Sequence, residues 1–248
     1  MIPSGYAAFD VGRARLVVRD EVTQPVRRAL AAGSLYEWAE RARGATALAG
    51  RQTVWAATLT PGVDVVVRHS RHGGVFAPIT GDVFFAPTRA PLELANALWL
   101  ESRHVPTPPV LAYAVYPLLG TLARADVMTG RVLGDDLAEA WRSAPDESRV
   151  VLVRAVAHLL RAMTAAGAVH PDLNIKNILV SPRAHGVEAV LLDVDRVERV
   201  AARSTGGMER NLARLRRSAE KVNRLRGLGL DDAHFFEPLR DALREPRA

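Results

Sequence analysis

The side chains best suited to chemistry are concentrated between His170 and Asp195. Asp172 lies in a polar loop after a predicted helix, and its carboxylate could accept or orient the proton of a hydroxyl group. Asn177 offers an amide oxygen further along the same loop, and Asp193 offers a carboxylate at the end of an apolar strand. Such oxygen ligands suit Mg²⁺, a hard cation that binds few protein ligands and takes others from phosphate. The set therefore predicts transfer of a phosphoryl group to a hydroxyl.

The spacing of these residues supports this hypothesis. H-x-D-x-x-x-x-N followed by a later acid is the pattern of a protein-kinase catalytic loop and its metal-binding aspartate. A single Asp or Asn would be an ordinary turn residue. Here the order helix, loop, strand, turn, strand is expected to bring residues 172, 177 and 193 to one edge. Lys176, the only lysine near the loop, is predicted to neutralise charge on the transferred group.

A kinase-type site also needs a cation on a strand of the first half, paired with a carboxylate of a helix. No lysine precedes Lys176, because the only other lysine among the 33 basic residues is Lys221. Arg68 ends the apolar strand Val65–Val67 and is the predicted cation. Its planar guanidinium would replace the point charge of a lysine ammonium group. Glu93, near the start of a predicted helix, is its predicted partner, and Glu101 is the competing choice.

The elements that must position these residues change in character along the chain. Residues 1–43 are weakly patterned, contain a helix predicted around Pro25–Arg43, and are expected to form an N-terminal extension. Residues 44–130 are rich in strands, with a hairpin turning at Thr60–Gly62 and one helix from residue 91 to 104. Residues 131–248 are mainly helical and contain the catalytic loop. The pattern predicts an α+β fold of two lobes, protein-kinase-like, with a small β-rich N-lobe and a helical C-lobe.

Composition excludes several classes of protein. A chain of 248 residues that is 48% hydrophobic and 24% charged is neither disordered nor collagen-like. With no cysteine, the chain has no disulfide, thiolate nucleophile or Cys-based zinc site. The first 20 residues lack the apolar stretch of a signal peptide, and the longest uncharged stretch, residues 105–123, contains four prolines and is unsuited to span a membrane. We expect a protein that is cytoplasmic or peripheral to a membrane.

The net charge of +6 is concentrated late in the chain, where residues 196–226 contain ten basic residues and three acidic ones. Three interpretations remain open: a solvated helix face, a surface for anionic lipid or phosphorylated glycan, and a nucleic-acid site. The segment contains no aromatic residue, so the base-stacking modes of nucleic-acid binding have no support. Nucleic acid is therefore the least favoured partner.

Short motifs in a fixed order resemble those of the lipopolysaccharide core kinases, the family that contains 3-deoxy-D-manno-octulosonic acid (Kdo) kinase and the heptose kinases. In the first half the similar stretches are GRQTV at 50–54, RHSRHGG at 68–74, RAPLE at 89–93, VPTP at 105–108 and ADVMT at 125–129. In the second half they are DLNIKN at 172–177, DVD at 193–195 and NLARLRRSAEK at 211–221. The resemblance spans roughly residues 44–225.

This resemblance implies ATP as donor, Mg²⁺ as metal, and a sugar hydroxyl of the lipid-A-linked inner-core glycan as acceptor. It implies that Gly50 and Arg51 cover the phosphates and that Thr129 belongs to the hinge strand beside the nucleotide. It also implies a peripheral position on the cytoplasmic face of the inner membrane, in contact with an anionic surface. Four positions depart from the family pattern and bear on the acceptor more than on phosphotransfer: Gln52, Ser70, His72 and Val194.

Two alternatives remain open beside a kinase of Kdo or heptose. One is another kinase-fold phosphotransferase acting on a drug, metabolite or protein, and the other is a non-catalytic nucleotide-binding or membrane-docking module. Asn174 stands where many protein kinases carry a lysine, which favours a small-molecule or glycan acceptor over a protein. The complete set of Asp172, Asn177 and Asp193 argues against a module that has lost catalysis.

Overall fold

A computed structural model describes residues 2–31, 33–48, 53–69, 84–85, 88–118 and 122–245 of the chain. The chain divides into two units, one comprising Met1–Ala95 and Pro109–Arg131, the other Asn96–Pro108 and Val132–Ala248. Each unit therefore contains two separate stretches of the sequence. The predicted boundaries at residues 43 and 130 remain predictions about domain organisation.

The first unit is built on an antiparallel sheet with strand order β1-β2-β7-β8-β5-β4-β3, with β6 paired to β8. Its strands are β1 (Tyr6–Val11), β2 (Ala14–Arg19), β3 (Thr46–Leu48), β4 (Val54–Thr60), β5 (Val63–His69), β6 (Phe84–Phe85), β7 (Val110–Pro117) and β8 (Leu122–Gly130). The predicted hairpin is confirmed, since β4 pairs with β5 across a turn in which Gly62 has a positive φ of 80°. Val65 and Val67 alternate with partly exposed neighbours and are fully buried in the sheet core.

Residues 1–43 contribute more regular structure than the sequence predicted. The hairpin β1–β2 joins the sheet of the first unit because β2 pairs with β7. The one helix predicted over Pro25–Arg43 is two helices, α1 (Thr23–Leu30) and α2 (Leu35–Arg41). The break has a local cause: Gly33 adopts a positive φ of 126°, and Ser34 starts α2 with a capping box. The helix predicted from residue 91 to 104 is confirmed as α3 (Ala90–Glu101).

The second unit is mainly helical, as predicted, with short strand pairs between the helices. The helices are α4 (Leu137–Ser143), α5 (Asp146–Ala166), α6 (Thr205–Arg226) and α7 (Glu237–Arg244), and the strands are β9 (Asp135–Asp136), β10 (Ala168–Val169), β11 (Ile178–Arg183), β12 (Gly186–Leu191) and β13 (Glu198–Arg199). β11 pairs with β9 and β12, and β10 pairs with β13. Helix α5 ends at Gly167, whose left-handed backbone turns the chain into β10 and the loop that follows. No helix in the described part of the chain is long and apolar enough to cross a bilayer.

Candidate active site

The predicted catalytic loop connects β10 to β11 in the second unit and is folded by its own side chains. Asn174 caps a short 3₁₀ turn, because its Oδ1 accepts from the backbone N–H groups of Lys176 (2.9 Å) and Asn177 (3.2 Å). Its Nδ2 donates to the Asp172 carbonyl at 3.1 Å. Leu173 and Ile175 are buried beneath the loop, whereas Asp172 and Lys176 are exposed. The loop thus presents a carboxylate and an ammonium group to solvent on a fixed backbone.

The structure brings Asp172, Asn177 and the Asp193 loop together within this unit. The Nδ2 of Asn177 donates to the Asp172 carbonyl at 3.1 Å, which leaves Oδ1 as the acceptor atom of that side chain. The carbonyl of Asn177 accepts from the N–H of Leu192 at 2.8 Å, directly before Asp193. A neutral amide oxygen and a carboxylate fit Mg²⁺, which takes its remaining ligands from phosphate and water. The metal-binding roles themselves remain predictions.

His170 forms hydrogen bonds with both the Asp172 loop and the Asp193 loop. Its ring is buried, and Nδ1 accepts from the N–H of Asp172 at 3.2 Å. The proton of the neutral ring is therefore on Nε2, which lies 3.0 Å from the Asp193 carbonyl and donates to it. Asp193 has a left-handed backbone, with φ 61° and ψ 49°, that few residues other than glycine adopt. The hydrogen bond from His170 holds this carbonyl while the Asp193 side chain stays exposed.

Helix α6 supports the catalytic loop through two polar side chains whose contacts the sequence did not predict. Asn211 is fully buried, with Oδ1 accepting from the N–H of His170 (3.0 Å) and Nδ2 donating to the Ala168 carbonyl (2.9 Å). Ser218, two turns later, accepts at Oγ from the N–H of Ile175 at 3.2 Å. Both residues belong to the C-terminal motif noted above, which was the available signal for their importance.

Asn96 of α3 is a second residue that sequence reasoning missed. It is buried, and its Nδ2 donates to the Val194 carbonyl at 2.9 Å, immediately after Asp193. Its Oδ1 accepts from Arg199 Nη2 at 3.2 Å. The signal in the sequence was an asparagine between apolar residues of a predicted helix, a position where a buried amide needs hydrogen-bond partners. The segment after Asp193 is thereby fixed by side-chain hydrogen bonds to its backbone.

In the first unit the predicted ion pair is present. Arg68 Nη2, at the end of β5, lies 2.7 Å from Glu93 Oε1 in the first turn of α3. The Glu93 side chain is only 5% exposed, whereas the Arg68 side chain is 26% exposed. Thr129 lies on β8, opposite Val66 of β5. Gly50 and Arg51 lie outside the described residues, and their proposed contact with phosphate stays a prediction.

A buried network next to Arg68 was not predicted. His69 Nδ1 lies 2.7 Å from Asp126 Oδ1, and the His69 ring stacks on Tyr36 with centroids 3.7 Å apart. The other oxygen of Asp126 accepts from the Tyr36 N–H at 3.0 Å. Burial, with the nearby Asp126 carboxylate, raises the pKa of Tyr116, whose hydroxyl accepts from the Leu35 N–H at 2.9 Å. The network joins the end of β5 to α2 and β8 and so fixes the backbone that carries Arg68.

Comparisons with known proteins agree with this geometry. The sequence matches the Lipopolysaccharide kinase (Kdo/WaaP) family over residues 36–234. It is 33% identical over 196 residues to a 3-deoxy-D-manno-octulosonic acid kinase of Stenotrophomonas maltophilia, covering 75% of this chain and 72% of that protein. It is 35% identical over 195 residues to a protein of the same name from Xanthomonas campestris pv. campestris, with the same coverage.

A solved structure described as WaaP in complex with acyl carrier protein aligns with a TM-score of 0.53, over 93% of this chain and 92% of that chain, at 22% identity. This likeness confirms the predicted α+β, kinase-like fold. The family match confirms the prediction of an ATP-dependent sugar kinase of lipopolysaccharide biosynthesis. The chain belongs to the lipopolysaccharide kinase (Kdo/WaaP) family.

Proposed function

We propose that this protein transfers the γ-phosphoryl group of ATP to a hydroxyl of Kdo or heptose in the inner core of lipopolysaccharide. The observation that carries the proposal is the hydrogen-bonded unit of His170, Asp172, Asn177 and the Asp193 loop. Such a unit suits phosphoryl transfer, in which positioning and charge stabilisation supply most of the catalysis. The names of the curated relatives support the acid sugar Kdo as acceptor.

Each predicted site residue of the second unit has a role that follows from its chemistry. The hydroxyl oxygen of the acceptor sugar attacks the γ-phosphorus, and ADP leaves. Asp172 accepts the proton of that hydroxyl. Lys176, exposed on the same loop, neutralises charge on the transferred group. Asn177 Oδ1 and the Asp193 carboxylate are the groups that would hold Mg²⁺, which supplies positive charge to the phosphate oxygens when bound. These assignments rest on residue type and on the hydrogen bonds described above.

The first unit would contribute the contacts to ATP. Arg68 would bind phosphate with its planar guanidinium while Glu93 fixes its direction, and the Arg68 side chain is partly exposed. Gly50 and Arg51 would cover the phosphates. Thr129 on β8 would border the nucleotide. In support of this role for Arg68, the chain has no lysine before residue 176, so an arginine would have to take the place that lysine holds in protein kinases.

The site of action would be the cytoplasmic face of the inner membrane, where the protein binds peripherally to reach a lipid-linked acceptor. The excess of basic residues between 196 and 226 supports contact with an anionic surface. The absence of aromatic residues from that segment speaks against single-stranded nucleic acid as the partner. Asn174, in place of a lysine, supports a glycan acceptor over a protein.

The test is a phosphotransfer assay with labelled ATP and purified lipid A–core. Asp172→Ala and Asp172→Asn should lose at least about 10²-fold in kcat while keeping wild-type circular dichroism. Asp10→Asn, a change of the same kind at an exposed position of β1, is the matched control and should retain activity. Full activity of Asp172→Ala would refute the catalytic assignment. Mass spectrometry of lipid A–core from cells with and without the gene should reveal a missing inner-core phosphate, and its presence in both would refute the acceptor.

A further inference from the structure

One face of α6 presents a row of exposed basic residues, which we call the cation stripe: Arg214, Arg217, Lys221 and Arg224. Their spacing of three, four and three residues places them on the same side of the helix. At the rise of an α-helix, the Cα atoms of the first and last members are about 15 Å apart. The stripe is therefore long enough to contact more than one anionic group.

The charges of the stripe have no ion-pair partner within the described part of the chain. Arg210 and Arg216, on the same helix, pair with carboxylates: Arg210 with Glu198, and Arg216 with Glu220 and Asp232. The four stripe side chains form no ion pair or hydrogen bond with any described residue. Neighbouring cations at these spacings repel each other. Helix stability accounts at most for Arg224, which lies in the last turn where the helix dipole favours a cation.

The stripe lies beside the surface of α6 that holds the catalytic loop. Ser218, which accepts from the Ile175 N–H, is four residues after Arg214 and three before Lys221. Residues at these spacings have Cβ atoms about 5–6 Å apart. Lys176, next to Ile175, is exposed on the loop that carries Asp172. All these residues belong to the second unit, so the stripe borders the same loop that carries the proposed catalytic carboxylate.

From this placement we propose that the cation stripe binds the anionic groups of the acceptor glycan itself and holds its hydroxyl at Asp172. Arginine forks match carboxylate and phosphate oxygens, and an acid sugar linked to further phosphate would offer both. A stripe that served only to attach the protein to a bilayer would have no need to border the catalytic loop. The proposal rests on the proposed function, since it names the part of the acceptor that the kinase recognises.

The experiment uses the full chain and a water-soluble acceptor, lipopolysaccharide inner-core glycan freed of its acyl chains by alkali. The test variant is Arg214→Gln/Arg217→Gln. The matched control, Arg13→Gln/Arg28→Gln, removes the same charge from exposed positions of the first unit. We expect the KM for the glycan to rise at least about tenfold in the stripe variant, with kcat and the KM for ATP changed less than about threefold. The control should behave as wild type.

Binding of the same glycan without ATP, measured by calorimetry, separates this proposal from the proposed function. Weakened binding by the stripe variant alone supports the stripe, even if wild type transfers no phosphate and the kinase assignment fails. Wild-type affinity for the glycan and a wild-type KM in the stripe variant would overturn the proposed role of the stripe and leave the kinase assignment unaffected. An equal loss in the control variant would reduce the effect to net charge and overturn it. A defect seen only with acceptor held in anionic vesicles would assign the stripe to the membrane and overturn it as well.

Discussion

Replacing Asn211 by alanine should loosen the catalytic loop without unfolding the protein. The side chain is fully buried and bonds the N–H of His170 and the carbonyl of Ala168. Alanine would leave both main-chain groups buried without these partners, at about 1–3 kcal/mol each. We therefore expect the free energy of unfolding to fall by about 2–6 kcal/mol, out of the roughly 5–15 kcal/mol of a typical domain.

The same substitution should lower catalysis, because His170 links Asp172 to the Asp193 carbonyl. A shift of about 1 Å in catalytic groups can cost 10²-fold in rate, so we expect kcat to fall by about tenfold to a hundredfold. The KM for ATP should change less. Asn211→Asp should not rescue either quantity, since its carboxylate can accept from His170 but would face the Ala168 carbonyl.

Urea denaturation followed by circular dichroism gives the stability, and steady-state phosphotransfer gives kcat. Asn223→Ala is the control on the same helix, because Asn223 Oδ1 accepts one hydrogen bond, from the Gly229 N–H, away from the loop. It should cost about 1 kcal/mol and leave kcat unchanged. The reasoning fails if Asn211→Ala loses less than about 0.5 kcal/mol, or if it loses stability with no change in kcat. The second result would limit Asn211 to a structural role.

Three further outcomes can be measured. Arg68→Lys and Glu93→Gln should each raise the KM for ATP about tenfold, because the planar fork or its orienting carboxylate is lost; an unchanged KM would remove the pair from the ATP site. Since burial raises the pKa of Tyr116, unfolding free energy should fall above about pH 10 by up to about 1.4 kcal/mol per pH unit, and less steeply in Tyr116→Phe; parallel pH profiles would contradict this. Gly167→Ala should lower stability by more than about 1 kcal/mol, because φ is 76° and the new Cβ would lie 2.3 Å from the Val200 carbonyl oxygen; an unchanged melting temperature would contradict this.

The parts of the fold that the sequence predicted well are those specified by neighbouring residues. The hairpin of β4 and β5 follows from two β-rich runs around a turn containing Gly62. The end of α5 follows from Gly167, and the loop and strands from His170 to Asp193 follow from polar residues between short apolar runs. Local sequence specifies these features because backbone preference and side-chain periodicity act over a few residues.

The features that were missed depend on partners far apart in the chain. β2 joins the sheet by pairing with β7, about a hundred residues later, and no local pattern specifies that partner. His69 meets Asp126 across 57 positions, and Asn96 meets Val194 across 98. A buried polar side chain predicts that some partner exists, because leaving it unpaired is costly. It does not identify which backbone or side chain the fold will supply.

The basic C-terminal segment also shows what composition cannot predict about contacts. Counting charges in the sequence treats its arginines alike, yet on α6 Arg216 pairs with Glu220 and Asp232 while Arg214, two positions away, pairs with no carboxylate of the described residues. An arginine that already bonds carboxylates must break those bonds to bind a ligand, whereas an unpaired one loses only water and conformational freedom. The capacity of the segment for an anion therefore depends on which of its charges already bond carboxylates. Arg214, which does not bond one among the described residues, is four residues before Ser218, and Ser218 accepts a hydrogen bond from the catalytic loop.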